Sequence, residues 1–280
     1  MKAVAYQTHG EPWDVVHVED LPEPELDSGD VLITLEAAPI HIADLLAMRN
    51  ALPFFAAETG VGGFEGVGRI SALGADVTNW AVGDRVFLPI GYGAWRERHA
   101  VPASTLLRAP ENAAAEQLAL VPINMATAYL MLHAYDTVSA GDWVLQNAAN
   151  SNVGHYFEIF AKRAGINVIN VVRRRDLIDT LKNQGRSHVL VDSDSLAGDV
   201  AAITSDPPKI ALDAIGGEAT TRLGACVAMH GLILSYGFLS KQPHALAYPD
   251  LVFRNVRLRG GLTNYAMERL DADGLARMRS

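Results

Sequence analysis

Phosphate-binding chemistry concentrates in one stretch, Asp142–Arg175, which reads DWVLQNAANSNVGHYFEIFAKRAGINVINVVRRR. Three adjacent guanidiniums, Arg173, Arg174 and Arg175, follow an apolar run that ends at Val172. A guanidinium is planar and permanently charged, which suits a phosphate group. About twenty residues earlier lies a turn of small residues, Asn147–Gly154, placed where free N–H groups at a helix start attract a pyrophosphate. A site built for NAD carries Asp or Glu at the end of its second strand, to bond the ribose 2′-hydroxyl. Arginines at that point suit a 2′-phosphate instead, so the pattern points to NADPH. The same cluster also reads as a solvated basic strand end or a nucleic-acid patch. A net charge of −9 argues against nucleic acid as a partner.

The glycine fingerprint of such a loop is incomplete. Laying G-x-G-x-x-G on the turn gives Ala149, Ser151 and Gly154, so only the third glycine is present. Asn150 and Asn152 are expected to compensate by taking up left-handed backbone, which Asn tolerates better than most residues. A tight strand-to-helix turn without a ligand is the competing reading of the loop alone.

The elements that must position these groups follow from pattern. Trp143–Leu145 is a short apolar run of strand type. Val153, Tyr156, Phe157, Phe160 and Ala164 share one face of a helix, Gly165 ends it, and Ile166–Val172 is a second strand. That is a βαβ half-unit. Before it, strands are expected at Met1–Tyr6, Val15–Val18 and Val31–Ala38, with further ones after Gly83 and Gly93. A short helix is expected over Ala43–Asn50. The glycine-rich segment Gly60–Ile70 reads either as close approach to a ligand or as bends and bulges. Helices are expected at Ala113–Leu120, Met125–Tyr135, Leu177–Gln184 and Thr221–Met229. Strands are expected at His188–Val191, Lys209–Ala214 and Gly231–Tyr236. The alternation in the second half implies α/β architecture with a Rossmann-type doubly wound parallel sheet, preceded by a β-rich domain.

Bulk composition fits a soluble globular chain: 280 residues, 49% hydrophobic and 20% charged. A single cysteine, Cys226, excludes an intrachain disulfide framework and a Cys-rich zinc module. No apolar run reaches membrane-spanning length and the N-terminus runs straight into a strand pattern, so a cytoplasmic location is expected.

Taken together, Val61–Gly68 (VGGFEGVG), Gly93–Arg96 (GAWR), Asn124–Tyr129 (NMATAY), Gln146–Gly154 (QNAANSNVG) and Asn170–Arg175 (NVVRRR) carry a resemblance to a family. The chain resembles the medium-chain dehydrogenase/reductase superfamily, in its zinc-independent branch of quinone oxidoreductases and mitochondrial-type 2-enoyl thioester reductases. The resemblance runs from the first strand through Tyr265. It implies a GroES-like catalytic or substrate domain over residues 1–120 and a Rossmann NADPH-binding domain over 121–262. Residues 263–280 would then begin a return to the first domain. Relatives continue past this point with closing strands, so the resemblance implies a chain cut short within a helix over Ala266–Arg279, or completed by a partner subunit.

The resemblance also implies roles. Asn124, Asn150, Ser151, Asn152 and Val153 would line the nucleotide. Arg173 and Arg175 would grip the 2′-phosphate, with Arg174 facing solvent. Tyr236, Gly237, Phe238 and Leu239, with Gly260, Gly261 and Leu262, would border the nicotinamide. Zinc-dependent relatives place Cys, His and Cys where this chain has His41, Phe64 and Ile123. Phe and Ile cannot coordinate a metal, so none is expected. Enoyl thioester reductases carry a Tyr where this chain has Leu52, which cannot donate a proton. His41 and Tyr92 are the candidate replacements, alongside solvent. The implied function is NADPH-dependent hydride transfer to an enone, a 2-enoyl thioester or a quinone, by a homodimer. The alternative is a non-catalytic NADPH-binding sensor.

Overall fold

The computed structural model describes residues 1–52, 60–135 and 138–263. The chain divides into two compact units, Met1–Ile123 and Asn124–Ser280. The helix expected over Ala266–Arg279 lies outside the described residues.

In the first unit, β1 (Lys2–Ala5) pairs antiparallel with β2 (His17–Asp20) across a helical turn, α1 (Pro12–Val15). The second strand starts later than the expected Val15–Val18, because Pro12 pre-sets a helical φ and the turn it opens takes up Val15. Next come β3 (Asp30–Ala37), α2 (Ile42–Met48), β4 (Val67–Leu73), β5 (Arg85–Phe87), β6 (Arg98–Pro102), β7 (Leu107–Arg108) and α3 (Ala115–Leu118). The larger sheet runs β6-β3-β4-β5-β7, with every neighbouring pair antiparallel. Val31 and Ile33, two apart on β3, face one core with Ile70, Val86 and Val101, as the period of two requires. The glycine-rich segment has a packing reason. Gly63 sits at φ 95°, and a Cβ there would come within 2.5 Å of the Trp95 ring.

In the second unit, α4 (Val121–His133) crosses the division and leads to β8 (Trp143–Gln146), α5 (Asn152–Arg163) and β9 (Asn167–Val172). Then follow α6 (Leu177–Asn183), β10 (His188–Val191), α7 (Leu196–Ile203), β11 (Ile210–Asp213), α8 (Glu218–Cys226), β12 (Leu232–Ser235) and β13 (Arg257–Gly260). Six parallel strands stand in the order β10-β9-β8-β11-β12-β13. The chain thus starts mid-sheet, winds to one edge, returns and winds to the other. The reversal falls between β8 and β11, where a doubly wound sheet opens its ligand crevice at the strands' carboxyl ends.

Alternation sorts the core onto two faces. Val144, Val168, Leu212 and Leu232 pack with α4 and α5, through Met131, Phe157 and Ala161. Their neighbours Leu145, Ile169, Ala211 and Ile233 pack with α7 and α8, through Val200 and Leu223. Burial of such side chains contributes roughly 1.5–3 kcal/mol each. Helix α8 begins three residues before the expected Thr221, because Gly217 at φ 62° turns the chain into it. Strand β13 escaped sequence detection: its four residues are all exposed and two are arginines, so no apolar alternation marks it. Among the described residues, no helix is long and apolar enough to cross a membrane.

Candidate functional site

The carboxyl ends of β8, β9, β12 and β13 bring most of the sequence-identified residues to one edge of the parallel sheet. After β8 the chain turns through Asn147–Asn150, and Ser151 caps α5, its hydroxyl accepting from the Gly154 N–H at 3.1 Å. The left-handed residue is Ala148, at φ 46°. This corrects the expectation for Asn150 and Asn152. Neither is left-handed; Asn152 already lies inside α5, and the bend falls earlier, where the Ser151 N–H closes on the Ala148 carbonyl at 2.8 Å. The surviving third glycine is required by packing, since a Cβ on Gly154 would lie 2.7 Å from the Ala149 carbonyl oxygen. Asn150 and Asn152 are exposed, Ser151 is half-buried, and Val153 belongs to the apolar core.

A polar framework that sequence reasoning missed holds this turn from below. Gln146 Nε2 donates to Asn170 Oδ1 at 2.7 Å and to the Gly154 carbonyl at 3.1 Å. Asn170 Nδ2 donates to Glu158 at 3.0 Å. Arg186, only 3% exposed, donates to the Ala149 carbonyl and to Asn170 Oδ1. Burial pushes its guanidinium pKa down, and Glu158 opposes that shift. Beside this, Asn147 Nδ2 donates to buried Asp213 at 2.6 Å and Asn147 Oδ1 accepts from the Ala214 N–H at 2.8 Å, tying the ends of β8 and β11 together.

Arg173, Arg174 and Arg175 are all exposed. Arg174 Nε lies 3.5 Å from Asp176, whereas Arg173 and Arg175 have no carboxylate partner among the described residues. On the far side of the sheet edge, Tyr236–Leu239 follow β12 and Gly260–Leu262 end β13, joined by the Gly261 N–H to Ser235 carbonyl bond of 2.7 Å. A Cβ on Gly237 would meet the Ala214 carbonyl at 2.5 Å, so only glycine fits there. Phe238, Leu239 and Leu262 are exposed by 47%, 54% and 40%. The Tyr236 hydroxyl is enclosed, and burial drives its pKa far up, with Ser151 nearby opposing the shift. Asn124 lies buried within α4.

The first unit holds His41 and Tyr92. His41 caps α2: its Nδ1 accepts from the Ala43 N–H at 3.1 Å, and Asp44 Oδ2 accepts from the His41 N–H at 2.6 Å. An accepting Nδ1 leaves the ring proton on Nε2, and burial pushes the imidazole pKa down. His41 is therefore a neutral hydrogen-bond donor at Nε2. Tyr92 is 40% exposed and anchored through its carbonyl, which accepts from Arg96 at 3.1 Å. Two buried carboxyls lie nearby. Asp44 also accepts from the Phe64 N–H at 2.9 Å, and Glu65 accepts from the Ile123 N–H at 2.8 Å while its Oε1 has no hydrogen-bond partner among the described residues. Burial raises Asp44 to about 6 against its backbone hydrogen bonds. Burial raises Glu65 to about 7, with repulsion from Asp44 adding to the shift. Among the described residues, no group of three or more His, Cys, Asp or Glu could hold a metal ion.

Two family descriptions match the chain, "Alcohol dehydrogenase GroES-like domain" over residues 27–111 and "Zinc-binding dehydrogenase" over residues 153–275. It is 33% identical over 267 residues to human mitochondrial enoyl-[acyl-carrier-protein] reductase, a match that covers 93% of this chain and 72% of that protein. The chain belongs to the medium-chain dehydrogenase/reductase superfamily. It is an oxidoreductase of the superfamily's enoyl reductase type. Its fold is that of the Etr1p complex with NADP and crotonyl-CoA, at a TM-score of 0.88 and 24% identity over 99% of this chain and 86% of that one. A Bacillus thuringiensis structure described as an NADPH:quinone reductase shares the fold at a TM-score of 0.87 and 23% identity, over 99% of this chain and 84% of that one. The "Zinc-binding" description does not extend to the three positions that the sequence pointed to, because Phe64 and Ile123 have no ligating side-chain atom.

Proposed function

We propose that this chain is an NADPH-dependent reductase, passing hydride to the β-carbon of an enone or 2-enoyl thioester, or to a quinone. The observation that carries the cofactor choice is the arginine cluster at the end of β9, next to the strand that starts the doubly wound sheet. Two of its three guanidiniums have no carboxylate partner among the described residues. Arg173 and Arg175 bind the 2′-phosphate, while Arg174 turns to Asp176. The Etr1p structure that shares this fold is a complex with NADP and crotonyl-CoA, which supports both cofactor and acceptor class.

The residues at the sheet edge fit such a group. The capped start of α5, with Asn150, Ser151, Asn152 and Val153, receives the pyrophosphate at the helix's N-terminal turn. Tyr236–Leu239 and Gly260–Leu262 border the nicotinamide half, Gly237 allowing close backbone approach, and Asn124 lines the same cofactor. When bound, the nicotinamide supplies the hydride, and the protein orients the acceptor and polarises its oxygen. His41, through Nε2–H, and Tyr92, through its hydroxyl, are the donors we assign to that oxygen. Neutral His41 stabilises a developing enolate by hydrogen bonding, and the carbon takes its proton from solvent.

Residues 1–120 serve the acceptor and 121–262 the cofactor. A homodimer is part of the proposal. It is supported by the exposed edge strand β13 and by exposed Tyr248, Leu251, Val252 and Phe253 just before it. We assign a reducing, cytoplasmic compartment on the single buried cysteine; the human relative is mitochondrial by name. A second reading, an NADPH-binding protein without turnover, draws on Leu52, which has no proton to give. Turnover of NADPH by purified protein against a 2-enoyl-CoA, a simple enone and a benzoquinone, with NADH in parallel, separates the two. The reductase reading expects NADPH-selective oxidation with at least one acceptor; binding without oxidation would favour the second.

A further inference from the structure

The turn after β8 bends at a residue that resists the bend. Ala148 stands at φ 46°, a left-handed conformation that a residue with a Cβ keeps only where its surroundings fix it. The fixing falls on the next residue, Ala149, which is fully buried and held through both of its backbone polar groups. Its N–H donates to the Val171 carbonyl at 3.3 Å, and its carbonyl accepts from Arg186 Nη1. That carbonyl oxygen is also the atom a Cβ on Gly154 would meet at 2.7 Å. One peptide therefore sets both the path of the turn and the start of α5.

Arg186 reaches that peptide from the connection between α6 and β10, where its own N–H donates to the Leu181 carbonyl at 3.2 Å. Its side chain is almost wholly buried. Besides Ala149, Nη1 serves Asn170 Oδ1 at 3.3 Å, an oxygen that also accepts from Gln146 at 2.7 Å. Asn170 Nδ2 donates to Glu158 at 3.0 Å, so the amide turns its oxygen toward the cation and its NH2 toward the carboxylate. Holding a neutral carbonyl needs no charge, and taking a guanidinium out of water is costly. Both hydrogen-bond acceptors of Arg186 among the described residues are neutral. An anion seated on the outer side of the turn would complement that charge.

In a trans peptide the carbonyl and the following N–H point in opposite directions, and no peptide bond is cis among the described residues. With the Ala149 carbonyl turned inward to Arg186, the Asn150 N–H is directed away from the core, and Asn150 itself is exposed. We propose that Arg186 is a positioning residue for the dinucleotide: it holds the Ala149 carbonyl inward, so that the Asn150 N–H faces a pyrophosphate oxygen, and its charge lies beneath the same turn. This role rests on the cofactor site proposed above. It differs in kind from the role of Arg173 and Arg175. Those two answer to the 2′-phosphate, which NADH lacks, whereas Arg186 acts on the pyrophosphate, which NADPH and NADH share.

Wild type is compared with Arg186→Met, which loses the donors and the charge, and with Arg186→Lys, which keeps the charge. Kd is measured for NADPH, for NADH and for adenosine 2′-monophosphate, which has a 2′-phosphate and no pyrophosphate. Arg186→Met should raise the Kd of both dinucleotides by the same factor, about tenfold, and leave that of adenosine 2′-monophosphate within about twofold. Arg186→Lys should recover most of the loss. Unchanged dinucleotide Kd values in folded Arg186→Met overturn the role, as does a loss confined to NADPH. An equal loss for all three ligands also overturns it, since a merely structural collapse of the site does that. Should Arg186→Met fail to fold, the Asn150 amide of the wild type decides. Its hydrogen exchange must slow when either dinucleotide binds and stay unchanged with adenosine 2′-monophosphate; an amide indifferent to the dinucleotides overturns the role. Wild type that binds neither dinucleotide would sink the cofactor site and this role with it, whereas wild-type binding that Arg186→Met matches sinks the role alone.

Discussion

Arg173 and Arg175 decide cofactor choice in this account. Removing either should lower kcat/KM for NADPH by about tenfold while leaving NADH turnover within about twofold, because an exposed charge-assisted contact is worth roughly 1.5 kcal/mol. Steady-state kinetics with both cofactors checks this. Glu65 and Asp44 give a second expectation. Their pKa values in the folded state are about 7 and about 6, above the ordinary carboxyl range, so the folded chain keeps protons that the unfolded chain releases. The stability tied to them is fully present below about pH 4 and is lost as pH rises through those values. Glu65→Gln should therefore flatten the stability profile and raise stability at pH 8, by on the order of 2 kcal/mol, as read by denaturant melts across pH. Arginines following an apolar strand stand out in sequence. Asp213 and Arg186 did not, because their partners Asn147 and Ala149 lie 66 and 37 residues away.

Among the elements, the β8–α5 turn works without two of the usual glycines because Ala148 takes the left-handed bend and Ser151 caps the helix. Gly154 cannot be spared. Gly154→Ala should cost about 1–3 kcal/mol of stability through overpacking against Ala149, and it should weaken NADPH binding by moving the helix start; thermal melts and a binding titration measure both. The strand-helix-strand unit was legible from its apolar face and from Gly165. The backbone angle inside the turn was not, because Ala carries no signal for φ > 0 and Asn does. Helix α7 and strand β13 were missed, the latter because its residues are exposed throughout.

At the scale of the whole molecule, strands followed by alternating strands and helices announced a β-rich unit and a parallel sheet. What sequence could not supply was the strand order, which depends on pairings between distant segments such as β8 with β11 and β12 with β13. Among the described residues that order leaves β13 at the edge of the sheet, with exposed apolar residues before it. Sedimentation should accordingly give about twice the chain mass, and Phe253→Asp with Leu251→Asp should return the monomer if that face is the dimer contact.

The most direct test of the central claim follows the hydride itself. NADPH deuterated at nicotinamide C4 would be incubated with the protein and a 2-enoyl thioester or enone, and the saturated product examined for label. The account expects deuterium on the β-carbon and protium from water on the α-carbon. NADPH bound at the sheet edge with no deuterium reaching either acceptor would contradict it.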